Sequence, residues 1–170
     1  MEICFSRRDV AAGVGIAIAS VSAGSTFAHQ ISRQEEGNRT MTESEVLDLF
    51  TRYIAALNAH EMDRMDEFVH VQVLQNLTLV PRTKVIADLK GHIEAVPDFK
   101  WRAKDVIVKG DTVAGRFLNI GTPARRWLDV EPTGRTIETL EFCFHKARDG
   151  KFYEMNYAMD VMGLRHQLGL

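Results

Sequence analysis

An α+β fold is what the sequence predicts, and three observations carry it. Apolar residues first recur at helical spacing, a run of strand-like segments follows, and turn signals separate those segments. The content of 45% hydrophobic and 26% charged residues in 170 suffices for one core and leaves little for a second. Helices gathered at the start with hairpin-linked strands behind them imply an antiparallel or mixed sheet, the helices packed on one of its faces.

Thr42 and Glu45 form a capping box, after which Val46, Leu49, Phe50, Tyr53, Ile54 and Leu57 recur at the spacing of an amphipathic helix. A short second helix is expected around Met62, Met65, Phe68 and Val69, with acids from Asp63 to Glu67 in its first turn. The β-branched and Leu-rich run from Val71 to Val80 reads as one strand broken by Pro81. Thr83 then caps a third helix carrying Val85, Ile86, Leu89 and Ile93, which Pro97 stops. Strands follow over Phe99 to Lys109, Thr112 to Thr122, Thr136 to Lys146 and Phe152 to Met159. Gly110-Asp111, Pro132-Thr133-Gly134 and Arg148-Asp149-Gly150 separate them, and a last short helix carries Leu164 and Leu168. Gly115 and Gly121 are expected to mark bulges that bend the sheet.

Residues 1–28 read as an export signal. Arg7 and Arg8 precede the uncharged run Ala11 to Ala28, small residues close it, and the arginine pair is similar to a twin-arginine signal. Cleavage after Ala28 and a periplasmic or extracellular protein are expected, or a cytoplasmic one if the signal is not used. The run is only mildly hydrophobic and short for a spanning helix, so no stable membrane span is expected; an anchor or an unstructured extension are the other readings. Residues 29–41 are polar and aperiodic and read as a flexible tether, which leaves 42–170 as the domain.

Net charge is -2, and Lys and Arg are scattered, so no nucleic-acid partner is expected. Cys4 and Cys143 lie outside any CxxC pattern and the six histidines fall singly, which implies neither a disulfide framework nor a metal site.

Several local motifs, in their joint order, carry a resemblance. They are Tyr53 to Asp63, Val96-Pro97-Asp98-Phe99, Lys109 to Ala114, Pro132 to Arg135, Asp149 to Glu154, Asp160 to Leu164 and Gln167-Leu168-Gly169. The chain from about Glu43 to Leu170 thereby resembles the SnoaL-like polyketide cyclases, or ester cyclases, of the nuclear transport factor two-like superfamily. The resemblance implies a curved sheet wrapped around a helix into a cone that encloses a pocket. It also implies cofactor-free chemistry on a small-molecule substrate, and a homodimer paired through the outer sheet face. In the founding cyclases an aspartate near the end of the last strand is the general acid-base of an aldol ring closure, and Asp160 holds the matching position. The family commonly has Trp where this chain has Asn156, which alters the pocket floor.

Period-two alternation puts Glu154, Asn156, Ala158 and Asp160 on one face of the last strand, with Tyr153, Met155, Tyr157 and Met159 on the other. On the residues alone Asp160 has two readings, a desolvated acid-base group or the N-cap of the last helix, and the resemblance favours the first. The preceding strand aligns Glu141, Cys143 and His145; the resemblance, whose members often carry a polar residue at or near Cys143, implies Glu141 or His145 as a second acid-base group, and a solvent-facing row or a cross-strand salt link is the simpler reading. Asn76 is a candidate to hold an enolate oxygen, or else an edge residue facing water. Arg116 faces pocket or surface with equal weight, Tyr53 points into the cone, and Trp101 and Trp127 either wall a flat ligand or are core. Arg116-Phe117-Leu118 lacks the Arg-x-Asp of the related epoxide hydrolases, and the region His70 to Val80 lacks the carboxylate of the ketosteroid isomerases. The expected function is a cyclase or isomerase of a polyketide-like or other carbonyl compound, with Asp160, Asn76 and Glu141 catalytic and Tyr53, Arg116, Trp127, His145 and Asn156 binding substrate. Its rival is a non-catalytic small-molecule-binding or dimerisation module of the same fold.

Overall fold

The computed structural model describes residues 39–168. The expectations for an export signal, and for the tether up to residue 38, lie outside them. The tether's last residues belong to the domain instead: Met41 is buried in the core, and the Arg39 backbone bonds Asp149 in a distant turn.

Helix α1 runs Glu43–Asn58 from the expected capping box, Thr42 and Glu45 each bonding the other's backbone N–H. Its apolar stripe, Val46, Leu49, Phe50, Tyr53 and Leu57, is buried. The expected short second helix is a stretch of 3-10 helix, Met62–Glu67, which buries Met62 and Met65. The region read as one strand is a hairpin, β1 (Val69–Gln75) and β2 (Thr78–Pro81). Asn76 and Leu77 make its two-residue turn, both at positive φ, the backbone a primed hairpin turn needs. Helix α2 (Arg82–Ala95) starts directly after Pro81, its N-cap, so Thr83 lies inside the helix and exposed rather than capping it.

Strand β3 (Ala103–Lys109) begins later than expected: Phe99 and Trp101 turn into the core, while Lys100 and Arg102 between and after them still bond β4 at Ile120 and Leu118, ahead of a register shift at Ala103 to Asp105. The Asn58 side chain pins this lead-in by bonding both the N–H and the C=O of Trp101. Strands β4 (Thr112–Gly121), β5 (Ile137–Arg148) and β6 (Lys151–Met159) and helix α3 (Val161–Gln167) follow. The six-stranded sheet has the order β2-β1-β6-β5-β4-β3, mixed because β1 and β6 run parallel. It curls over α1, whose Phe50 and Tyr53 meet Phe117, His145 and Phe152 of the inner face edge-on. The β4–β5 register is unbroken through Gly115 and Gly121, so neither glycine bulges that pairing. They allow close approach instead: a Cβ at Gly121 would lie 2.4 Å from Val96, and one at Gly115 2.8 Å from the Phe117 ring.

Candidate functional site

The alternation along β5 sorts its residues as expected, but the polar row faces inward. Glu141, Cys143 and His145 are buried, while Phe142 and Phe144 are about half exposed on the outer face (51% and 47%). On β6 the inward set is Met155, Tyr157 and Met159. These strands, with Phe50, Tyr53, Ile54 and Leu57 of α1 and Val85, Asp88, Leu89 and His92 of α2, line a pocket inside the cone. Its free space is about 650 Å³ including the open mouth, but the bore is slim, so a ring-shaped guest requires side chains to move. Met155 and Met159, unbranched and adaptable, are suited to that.

Among the described residues Glu141 is the one carboxylate on the sheet wall of this pocket, 9% exposed. Its Oε2 accepts a hydrogen bond from Asn119 Nδ2 at 2.5 Å. Burial disfavours the charged form and lifts its pKa to about 7, against the Asn119 bond, which lowers it. Asn119 is fully buried and its Oδ1 has no partner among the described residues. An amide placed in this way suits a carboxyl that changes protonation state: Nδ2 donates to the carboxylate, and after a flip Oδ1 accepts from the acid. Alternation in Val113, Gly115, Phe117 and Asn119 puts Asn119 on the buried face, the signal by which it could have been found.

Two neighbours complete the wall. Tyr53, 4% exposed, is held neutral by burial and by the adjacent Glu141 charge, and among the described residues its hydroxyl has no hydrogen-bond partner. His145 sits among Phe50, Tyr53 and Phe152; burial drives its pKa down to about 4, and its Nδ1 is unpartnered among the described residues. Desolvation, then the Glu141 charge, pushes the Cys143 thiol up to about 12, so it is not a nucleophile at neutral pH. At the α2 side Gln75 Nε2 donates to Tyr157 Oη at 3.0 Å and lies 3.4 Å from Asp88 Oδ2. Among the described residues no cluster of His, Cys, Asp and Glu is placed to hold a metal, and no helix is long and apolar enough to cross a membrane.

The other expected site residues lie elsewhere. Asp160 is exposed and caps α3, its Oδ1 accepting from Gly163 N at 2.8 Å. A Cβ at Gly163 would stand 2.2 Å from that carboxylate, so the cap fills the space which the glycine leaves. Asn76 is exposed in the hairpin turn, and its Oδ1 accepts from Tyr157 N, tying β1 to β6. Arg116 faces outward in an ion pair with Asp105. Asn156 is on the outer face beside Glu154, which pairs with Lys146. Trp127 is buried beside the pocket without lining it. The polar face of β6 is thus the outer one, and the pocket takes the methionine and tyrosine face.

A family model described as SnoaL-like polyketide cyclase matches residues 47–168. No curated protein matches the chain. Among solved structures, a SnoaL-like polyketide cyclase from Agrobacterium tumefaciens superposes with a TM-score of 0.68 at 21% identity, over 72% of this chain and 97% of that one. TsrD from Streptomyces laurentii gives 0.69 at 22%, over 76% and 98%. IdmH from Streptomyces antibioticus gives 0.67 at 22%, over 74% and 99%. Likeness at this identity is a likeness of fold, and it matches the cone described above.

Proposed function

The chain belongs to the SnoaL-like polyketide cyclase family, and from that premise we propose that it closes a ring in, or isomerises, a small carbonyl compound by acid–base chemistry at Glu141. The observation carrying this is a buried carboxyl on the pocket wall whose pKa stands near 7, where one group can both take and return a proton. The ionised Glu141 takes a proton from the carbon beside a carbonyl, and the C–H electron pair becomes the enolate. The enolate carbon attacks a second carbonyl of the same molecule, forming the C–C bond and an alkoxide. The alkoxide then receives the proton from Glu141, which restores the carboxylate. Tyr53, a neutral hydroxyl without a partner among the described residues, donates to the developing oxyanion. Asp160, which the resemblance put in this role, contributes helix-capping instead.

The test is deuterium uptake at the acidic carbon of a benzo-fused cyclic ketone such as 2-tetralone, followed by NMR. The protein should accelerate uptake, and Glu141→Gln should remove about 100-fold or more of that acceleration while ketone binding survives. Equal rates in the two proteins would overturn the assignment and leave the binding-module reading.

We also infer a homodimer through the outer sheet face, where Ile107, Phe142 and Phe144 are exposed. Phe144→Glu should give a monomer in sedimentation, and an unchanged mass would refute this. Export is inferred from Arg7-Arg8 and the uncharged run that follows. The mature chain should begin near His29 by intact mass, and a full-length cytoplasmic chain would refute it.

A further inference from the structure

His92 lies on the pocket face of α2, one turn beyond Asp88 and Leu89, and its partner defines which of its nitrogens carries the proton. The indole Nε1–H of Trp127 donates to His92 Nδ1 at 2.8 Å. An indole N–H can only donate, so Nδ1 is the bare acceptor and the neutral ring carries its hydrogen on Nε2. Among the described residues no group accepts from Nε2, and the atom is not sealed inside the protein. Burial lowers the His92 pKa, with the nearby Asp88 charge opposing, so the neutral form is favoured.

The surroundings hold this pair rigidly. The His92 ring stacks on Phe99 at an interplanar angle of 21° and meets Trp127 edge-on, and Phe99 packs against both Trp101 and Trp127. Trp127 stands at one foot of a two-residue turn closed by reciprocal bonds with Val130, and Leu128 and Asp129 between them both adopt positive φ. A leucine in that conformation is costly, so the chain accepts local strain where the turn orients Trp127. The N–H groups of Ala124 and Arg125 bond the Ala95 carbonyl, tying this loop to the end of α2. Two segments distant in sequence thus converge to orient one imidazole edge.

We propose that His92 is a substrate-contacting hydrogen-bond donor, its Nε2–H directed at a carbonyl or enolate oxygen, and that Trp127 is the positioning residue which holds it in that tautomer. The hydrogen stays on His92 throughout; the bond strengthens as negative charge collects on the substrate oxygen. Oxygen-bearing rings, ketones or phenols, are the ligand class this donor selects. The assignment of His92 to substrate binding rests on reading the pocket as the acid–base site, whereas the tautomer does not.

The probe is 4-nitrophenol, whose phenolate imitates an enolate and whose absorbance reports its ionisation. Wild-type protein carrying ¹⁵N-histidine should show His92 as the Nε2–H tautomer in long-range proton–nitrogen spectra. Trp127→Phe should convert it to a mixture and weaken 4-nitrophenolate binding severalfold. His92→Phe should weaken binding about tenfold, and His92→Gln, which keeps an N–H donor, should stay within about threefold of wild type. An Nδ1–H tautomer in the wild type, or equal binding by His92→Phe, would overturn the proposal. Failure of the acid–base reading looks different: Glu141→Gln would exchange the ketone proton at the wild-type rate while the His92 results stood.

Discussion

Glu141 and Asp160 are two carboxylates at the same end of the sheet with opposite surroundings. Glu141 pairs across the β5–β6 ladder with Met159, the residue before Asp160, and the Asp160 N–H bonds the carbonyl of Leu140, the residue before Glu141. One step along the pleat turns the side chain to the other face. Glu141 enters an apolar pocket with an amide as its partner, and its charged form is disfavoured. Asp160 meets the N-terminus of α3, whose N–H of Gly163 its carboxylate accepts. A carboxylate's chemistry here follows from what solvates it, and position in the sheet separates the two by almost nothing.

The largest expected effect separates the pair by rate. Glu141→Gln should cut ketone deuterium exchange about 100-fold or more, while Asp160→Asn, which keeps a capping acceptor, should stay within about twofold. If the aspartate variant lost the activity and the glutamine variant kept it, the comparison would be inverted.

A second effect is on stability. The folded pKa of Glu141 is raised from 4.5 to about 7, so its favourable contribution is complete below 4.5 and is lost as pH rises to about 7. For His145, lowered from 6.5 to about 4, stability is complete above 6.5 and is lost as pH falls to about 4. The two slopes oppose each other over roughly pH 4.5 to 6.5, each worth up to about 3 kcal/mol. Glu141→Gln removes one of them, so relative to wild type its urea stability should climb with pH across that window. Parallel pH curves for the two proteins would contradict the burial of Glu141.

Asn119→Leu sharpens the account of the pocket partner. Losing a bond that lowers the Glu141 pKa should move the acid limb of the exchange profile to higher pH, with about tenfold less exchange at pH 7. The smallest effect is at the cap: Asp160→Ala should cost about 1 kcal/mol in denaturant melts and leave exchange unchanged.

Much of this was legible in the sequence, for stated reasons. The capping box and spaced apolar residues of α1 are local signals, and so are the turns that divide β3 to β6. The β1–β2 turn was not, because Leu77 interrupts nothing in the apolar run and has no preference for positive φ. Alternation grouped the side chains of β5 correctly and those of β6 from Glu154 onward, but a bulge beside Lys146 and Ala147 puts Phe152 inside in place of Tyr153, and alternation could not say which group faces in. Two phenylalanines outside and a glutamate inside reverse the usual inference from polarity. The bond between His92 and Trp127 joins residues 35 apart, which no local pattern announces.

The most direct measurement is a ¹³C NMR titration of the Glu141 side-chain carboxyl, which requires no substrate. The account predicts a midpoint near pH 7, moved upward in Asn119→Leu. A midpoint near the ordinary 4.5 would show a solvated carboxylate and contradict the assignment of the acid–base role to Glu141.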